Sequence, residues 1–323
     1  MKDFLLGLDR QILDAISIGR NFRLPAPYRK VSNILFCGMG GSALSGDILN
    51  LLSNRHSSIP FQVNRSSRMP AWINNETLVI FSSYSGNTEE IVQDFTRASA
   101  VHSKMLVVTS GGKLSELAAQ KKNILCLMIP GGLPPRCAVG YLTFSLLPVL
   151  SRQGWMDVPE ADMKEAAVQV GLAAKKAPIL AQKLAGKFVH FYGLSGLMEP
   201  VLTRWRAQFA ENAKTLASSH LIPEMFHNEI EGWQFPSEII KRSLAVFFLD
   251  REYLAPLKKK IAFVQKKIKQ RGGDAMEISS SGRSLVGRIF SLIGLGDWVS
   301  FELAKKLHVD PKPIPTIEEL KKI

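Results

Sequence analysis

Short apolar runs alternate with stretches of helical periodicity through almost the whole chain from residue 31 onward. The first half reads as strand 33–37, a glycine turn, helix 43–54, strand 60–64, strand 77–81, helix 89–100, strand 105–109, helix 113–121, strand 124–129 and a helical stretch over 139–152. Strands that are apolar throughout are buried on both faces, and the intervening helices supply the cover. The pattern therefore predicts a parallel sheet sandwiched by helices. A helical linker carrying Pro159 and Pro178 follows. The alternation then restarts with strand 187–192, a small-residue turn at 193–196, a long helix over 198–216, strand 244–249, a lysine-rich helix, strand 275–278 and helix 285–307. The expected fold class is α/β with two domains, 1–155 and 156–323, each a parallel sheet flanked by helices on both faces. The second half repeats the first weakly: strand 244–249 stands where 77–81 stands, but no serine-threonine loop follows it. The tail runs through Pro311, Pro313 and Pro315 into a short helix, 316–322, expected to dock on the body of the protein.

Length agrees with this division, since 323 residues exceed what one core usually covers and two domains of about 150 residues are the default. No segment reaches the roughly 18 apolar residues of a membrane span. The N-terminal ten residues read as an amphipathic helix and not as a signal peptide, so the expected compartment is the cytoplasm. Cys37, Cys126 and Cys137 are too few and scattered for a disulfide framework and lack paired metal-ligand spacing; Cys37 and Cys126 fit as packing residues. The net charge of +13 raises the question of nucleic acid. Its densest run, Lys258 to Arg271, interleaves with Ile261, Val264 and Ile268 at helical spacing, which describes one helix with a core face and a solvated basic face. With no aromatics among these lysines to stack bases, a nucleic-acid partner is not expected.

The candidate chemistry lies at strand-to-helix turns. Ser83, Ser85 and Thr88 stand between strand 77–81 and a helix starting near Glu89. One hydroxyl suffices for a helix cap. Three, beside the free N–H groups and positive dipole end of a first helical turn, suit the oxygens of a phosphate monoester. One turn earlier, Gly38-Met39-Gly40-Gly41-Ser42-Ala43 satisfies the G-x-G-x-x-A form of the dinucleotide fingerprint. That fingerprint also wants an acid at the end of the second strand, where Arg65 and Arg68 stand instead; Arg65 would suit a 2′-phosphate. Two loops at neighbouring strand ends favour a sugar phosphate over a dinucleotide. Arg136, in a proline-stiffened loop, is placed to bind an oxygen-rich substrate or a developing oxyanion, or is a surface cation. Glu211 lies late in a long helix. His227 lies among apolar residues and carboxylates, company that can orient a histidine for proton transfer. His227 and Glu231 are four apart, yet no third metal ligand suggests itself, so no metal is expected.

Taken together, Gly38 to Ser42, Ser83 to Thr88, Pro135-Arg136, Glu211 to Lys214, Pro223 to Glu229 and the tail with Val309 to Pro311 and Ile317 to Lys321 resemble the bifunctional phosphoglucose/phosphomannose isomerases, a family of sugar isomerase (SIS) domain proteins. The resemblance spans nearly the whole chain in order. It implies two SIS domains in a homodimer with shared active sites, hexose 6-phosphate substrates, and neither metal nor nucleotide cofactor. It implies that Gly41, Ser42, Ser83, Ser85 and Thr88 hold the phosphate and that Arg136 stabilises an enediolate. Glu211 would be the base that moves a proton between C1 and C2, with His227 of the neighbouring subunit and Lys321 opening the sugar ring. Lys305 and Lys306 are the alternatives to Lys321. Phe226 and the Lys312-Pro313 pair depart from the family pattern. Other readings are an isomerase or a non-catalytic sensor for another phosphosugar, and an NADP-dependent oxidoreductase resting on the glycine turn and Arg65.

Overall fold

A computed structural model describes residues 1–57, 59–66, 68–101 and 103–321. The chain divides into two compact units, Gly7–Ala167 and Met1–Leu6 with Val168–Ile323.

The Gly7–Ala167 unit carries β1 (Asn33–Gly38), β2 (Phe61–Asn64), β3 (Thr77–Ser82), β4 (Lys104–Thr109) and β5 (Ile124–Met128) in the order β2-β1-β3-β4-β5, every pair parallel. Alternate strand residues serve opposite faces. Leu35, Cys37, Val79, Phe81, Met105 and Val107 pack under the helices Glu89–Ser99 and Gly112–Ala119 through Ile91, Phe95, Leu114 and Ala118. Phe36, on the other face, lies against the helix Gly40–His56 so closely that a Cβ on Gly46 would meet its ring at 2.5 Å. Burial pushes the Cys37 thiol up to about 12, with the Asp94 charge adding to it, so Cys37 is a packing residue.

In the other unit β6 (Phe188–Leu194), β7 (Ala217–Ile222), β8 (Ser243–Leu249) and β9 (Asp274–Ser279) form a second all-parallel sheet, β7-β6-β8-β9. Phe191 and Phe248 pack on Trp205 of the helix Glu199–Glu211, and Trp205 Nε1 donates to the Leu292 carbonyl of the helix Leu285–Lys306 at 2.9 Å. Arg204 and Asp297, both almost fully buried, join the same two helices through paired bonds of 2.8 and 2.9 Å, and Gln208 adds a third bond to Asp297 at 2.9 Å. The lysine-rich helix Ala255–Gln270 buries Ile261, Val264 and Ile268, as its spacing predicts.

Several expectations are corrected. The expected helix 198–216 stops at Glu211, and the unforeseen strand β7 follows; as an edge strand it is only half-buried along most of its length, so it carries no apolar run to mark it. The stretch 139–152 is two helices, Val139–Phe144 and Leu147–Arg152, because Pro148 has no N–H to continue the first. The N-terminal helix is interrupted at Gly7. The tail helix is Pro315–Leu320, and none of its residues is buried; earlier in the tail, Lys214 Nζ donates to the Pro313 carbonyl at 2.8 Å. Its expected end, Lys322, lies outside the described residues.

Replacing Asp297 with alanine leaves a buried guanidinium without its carboxylate. We expect a loss of about 3–5 kcal/mol in urea unfolding followed by tryptophan fluorescence, Trp205 being the local reporter.

Candidate active site

The strand-end loops of the Gly7–Ala167 unit meet at the carboxyl ends of β1 and β3. Gly38 ends β1 with so little room that a Cβ there would meet the Ala43 nitrogen at 3.0 Å, which lets the first turn of Gly40–His56 fold directly onto the strand. Gly40 has φ +52°, a conformation natural to glycine. Ser42, in that first turn, accepts a hydrogen bond from the Tyr84 N–H at 3.3 Å, which joins the glycine turn to the loop after β3. In that loop the Ser83 and Thr88 hydroxyls are 2.8 Å apart, and Ser83 Oγ also accepts from the Gly86 N–H at 3.2 Å. Ser85 is exposed, and Thr88 stands at the N-cap of Glu89–Ser99 without a side-chain capping bond. Thus Ser42 and Ser83 form the buried floor, and Ser85 and Thr88 the accessible rim, beside the positive ends of two helices.

The loop after β4 supports this arrangement. The Gly86 carbonyl accepts from Leu114 N at 3.0 Å, Asn87 Oδ1 accepts from Lys113 N at 2.9 Å, and Ser110 N donates to the Tyr84 carbonyl at 3.0 Å. The Tyr84 hydroxyl donates to Pro130 O at 2.9 Å and accepts from Leu133 N at 3.0 Å, so it steadies the segment leading to Arg136. A Cβ on Gly41 would meet Pro135 O at 3.3 Å and Arg136 Cα at 3.6 Å, which places the Arg136 backbone against the glycine turn. Arg136 is 5% exposed, a buried guanidinium and not a surface cation. Arg65, the residue offered for a 2′-phosphate, is instead paired with Asp47.

Glu211, His227 and Lys321 belong to the other unit. Glu211 ends its helix half-buried, and the next residue, Asn212, is fully buried and donates to Ser300 Oγ at 3.0 Å. Lys214, at φ +55°, turns back so that its Nζ donates to the Glu211 carbonyl. His227 is exposed at the end of the short 224–226 turn, and Lys321 is exposed at the end of the tail helix. Of the alternatives to Lys321, Lys305 pairs with Glu302 at 2.8 Å.

One of the carboxylates near His227 in sequence, Glu229, faces another histidine. Glu229 Oε2 lies 2.9 Å from His220 Nδ1, and Glu229 also accepts from the Tyr192 hydroxyl, itself bonded by Trp233 Nε1 at 3.1 Å. Burial alone would raise the Glu229 carboxyl, but the His220 and Tyr192 hydrogen bonds hold it below the ordinary carboxylate range. His220 Nε2 is 2.7 Å from Ser218 Oγ, which is 2.8 Å from His190 Nδ1. Sequence reasoning missed Ser218, His220 and His190, because β7 went unrecognised; the i, i+2 spacing of Ser218 and His220 was the available signal. Glu231 pairs with Arg271, and no cluster of three metal-ligating side chains occurs among the described residues.

Comparison with known proteins agrees with this architecture. The SIS domain family matches residues 28–132, and the bacterial phospho-glucose isomerase C-terminal SIS domain matches residues 173–323. The molecule is therefore an α/β protein of two SIS domains. The backbone resembles that of tagatose-6-phosphate ketose/aldose isomerase from Escherichia coli, with TM-score 0.72 over 97% of this chain and 95% of that one at 16% identity, a likeness of fold. In sequence the chain is 34% identical to the bifunctional phosphoglucose/phosphomannose isomerase of Caldicellulosiruptor bescii, across 99% of this chain and 98% of that protein. It is 35% identical to the bifunctional phosphoglucose/phosphomannose isomerase of Thermoplasma acidophilum, across 90% and 89%. The chain belongs to the bifunctional phosphoglucose/phosphomannose isomerase family.

Two outcomes test the site geometry. A Gly86→Ala change puts a Cβ 1.8 Å from the Gly111 carbonyl at φ +69°, so the loop must shift; we expect destabilisation of at least about 1–3 kcal/mol in thermal or denaturant unfolding. Burial, assisted by the His220 charge and opposed by Glu229, pushes His190 down to about 4. The unfolded chain then binds the extra proton first, below its ordinary value of about 6.5. Stability is complete above that pH and declines as pH falls towards 4. Unfolding midpoints measured across this window should show that slope, and His190→Asn should flatten it.

Proposed function

We propose that this protein interconverts glucose 6-phosphate and mannose 6-phosphate with fructose 6-phosphate. The observation that carries the reading is the junction of the two loops, where Ser42 accepts from the Tyr84 N–H and the Ser83 and Thr88 hydroxyls lie 2.8 Å apart. Four hydroxyls and two helix N-termini make a cradle for a phosphate dianion. A dinucleotide is disfavoured because Arg65 is engaged by Asp47 and the second strand ends without an acid.

In this reading Ser42, Ser83, Ser85 and Thr88 bind the phosphate with the Gly41 backbone. Glu211 removes the proton from C2 of the open-chain aldose and returns it to C1 of the cis-enediol, giving the ketose. In the reverse direction, protonation of C2 on one face of the enediol gives glucose 6-phosphate and on the other face mannose 6-phosphate. Arg136, buried beside the glycine turn, neutralises the charge that develops on the enediolate oxygens. Lys321 and the partner subunit's His227 exchange protons with the ring oxygen and the anomeric hydroxyl to open the ring. The assembly proposed is a homodimer and the compartment the cytoplasm. No helix among the described residues is long and apolar enough to cross a membrane.

Incubating the protein with fructose 6-phosphate and resolving the products by NMR tests the reading. Both aldose phosphates are expected; absence of both overturns it. Glu211→Gln should leave KM nearly unchanged and lower kcat by on the order of 100- to 10,000-fold; undiminished turnover removes Glu211 from the mechanism.

A further inference from the structure

The Glu229, His220 and Ser218 side chains form a chain of contacts in the order used by serine nucleophiles: carboxylate to Nδ1 at 2.9 Å, Nε2 to hydroxyl at 2.7 Å. The proton positions follow from the partners. Glu229 is ionised, so His220 carries its proton on Nδ1 and turns the Nε2 lone pair to Ser218. Tyr192 and Trp233 hold the carboxylate from behind. His190 Nδ1 also lies 2.8 Å from Ser218 Oγ, and its Nε2 is 3.3 Å from Ser243 Oγ, whose hydroxyl donates to the Ile239 carbonyl at 2.9 Å. Ser218, His220, His190 and Glu229 all line one open cavity of about 340 Å³. Phe188, Trp233, Phe235 and Ile239 give that cavity apolar walls, and its volume suits a small ligand. Glu211, His227 and Lys321 are not among the residues that line it.

We propose that this cavity is a second catalytic site, in which Ser218 is the nucleophile for hydrolysis of small carboxylic esters with an apolar or aryl group. The Ser218 oxygen bonds to the acyl carbon while its proton passes to His220 Nε2, and the imidazolium formed is stabilised by Glu229. The tetrahedral intermediate collapses by breaking the bond to the alcohol or phenol, which leaves with the proton held by His220. Water then gives a proton to His220 and its oxygen to the acyl carbon, releasing the carboxylic acid and returning the proton to Ser218. Only ester and water are consumed, and the walls supply the apolar contact that selects the substrate.

The test uses the full-length protein with p-nitrophenyl butyrate and a fluorophosphonate probe. Nitrophenolate release is expected above the protein-free rate, with a single phosphonyl adduct mapped by mass spectrometry to the peptide containing Ser218. Ser218→Ala should lower hydrolysis by on the order of 100-fold and abolish the adduct while fructose 6-phosphate isomerisation continues, which also shows that the variant is folded. No adduct on Ser218 in the wild-type protein, or equal hydrolysis by the variant, overturns the proposal. Failure of isomerisation in the wild-type protein bears on the other site alone.

Discussion

The Gly111 carbonyl occupies the place where a side chain on residue 86 would begin, 1.8 Å from the position of its Cβ, and Gly86 sits at φ +69° to accept it. Because the two backbones touch here, the loops after β3 and β4 fold as one body, with Gly86 O bonded to Leu114 N and Asn87 Oδ1 to Lys113 N. That body fixes Ser83 and Thr88 at 2.8 Å and lets Tyr84 reach both Ser42 and the segment before Arg136. Catalytic constellations tolerate only small misplacement. The constellation here is therefore set by backbone-to-backbone packing, and the hydroxyls ride upon it.

The two units show how one architecture is given different chemistry at equivalent positions. β8 lies beside β6 as β3 lies beside β1. Where the first unit continues into serine and threonine hydroxyls, the second places Asp250, bonded by Ser280 Oγ at 2.6 Å, Glu252 N at 3.0 Å and Arg288 Nε at 2.9 Å. Burial opposes the charge on Asp250, but these partners hold its carboxyl below the ordinary range. A carboxylate bound in this way fills the role of an anion and repels a second one. The second unit thus holds an arginine–carboxylate pair where the first has hydroxyls, while Arg204, Asp297 and Gln208 brace the helix that ends at Glu211.

Histidine chemistry in the second unit follows from strand pairing. His190 is paired with Ser218 in the β6–β7 register, and Tyr192 with His220. Residues two apart on adjacent strands share a face, so these four polar side chains meet there, and Glu229 closes the group. The same bonds tether the turn carrying His227 to the sheet, because Glu229 lies two residues beyond it and is held by both Tyr192 and His220. Tethering the turn leaves His227 itself exposed.

The sequence by itself determined the apolar strands of both sheets, the glycine turn and serine loop at the ends of β1 and β3, and the division into two α/β units. These are local properties: an unbroken apolar run, a residue that must be glycine, hydroxyls at the first turn of a helix. Only the tertiary structure decided the rest. It buried Arg136, tied Arg65 to Asp47, split helix 139–152 at Pro148, revealed β7, and paired Glu229 with His220. In each case except Pro148 the deciding partner lies on another element, and a half-covered edge strand or a long side chain takes its neighbours from the packing of those elements, which spacing along one chain does not encode.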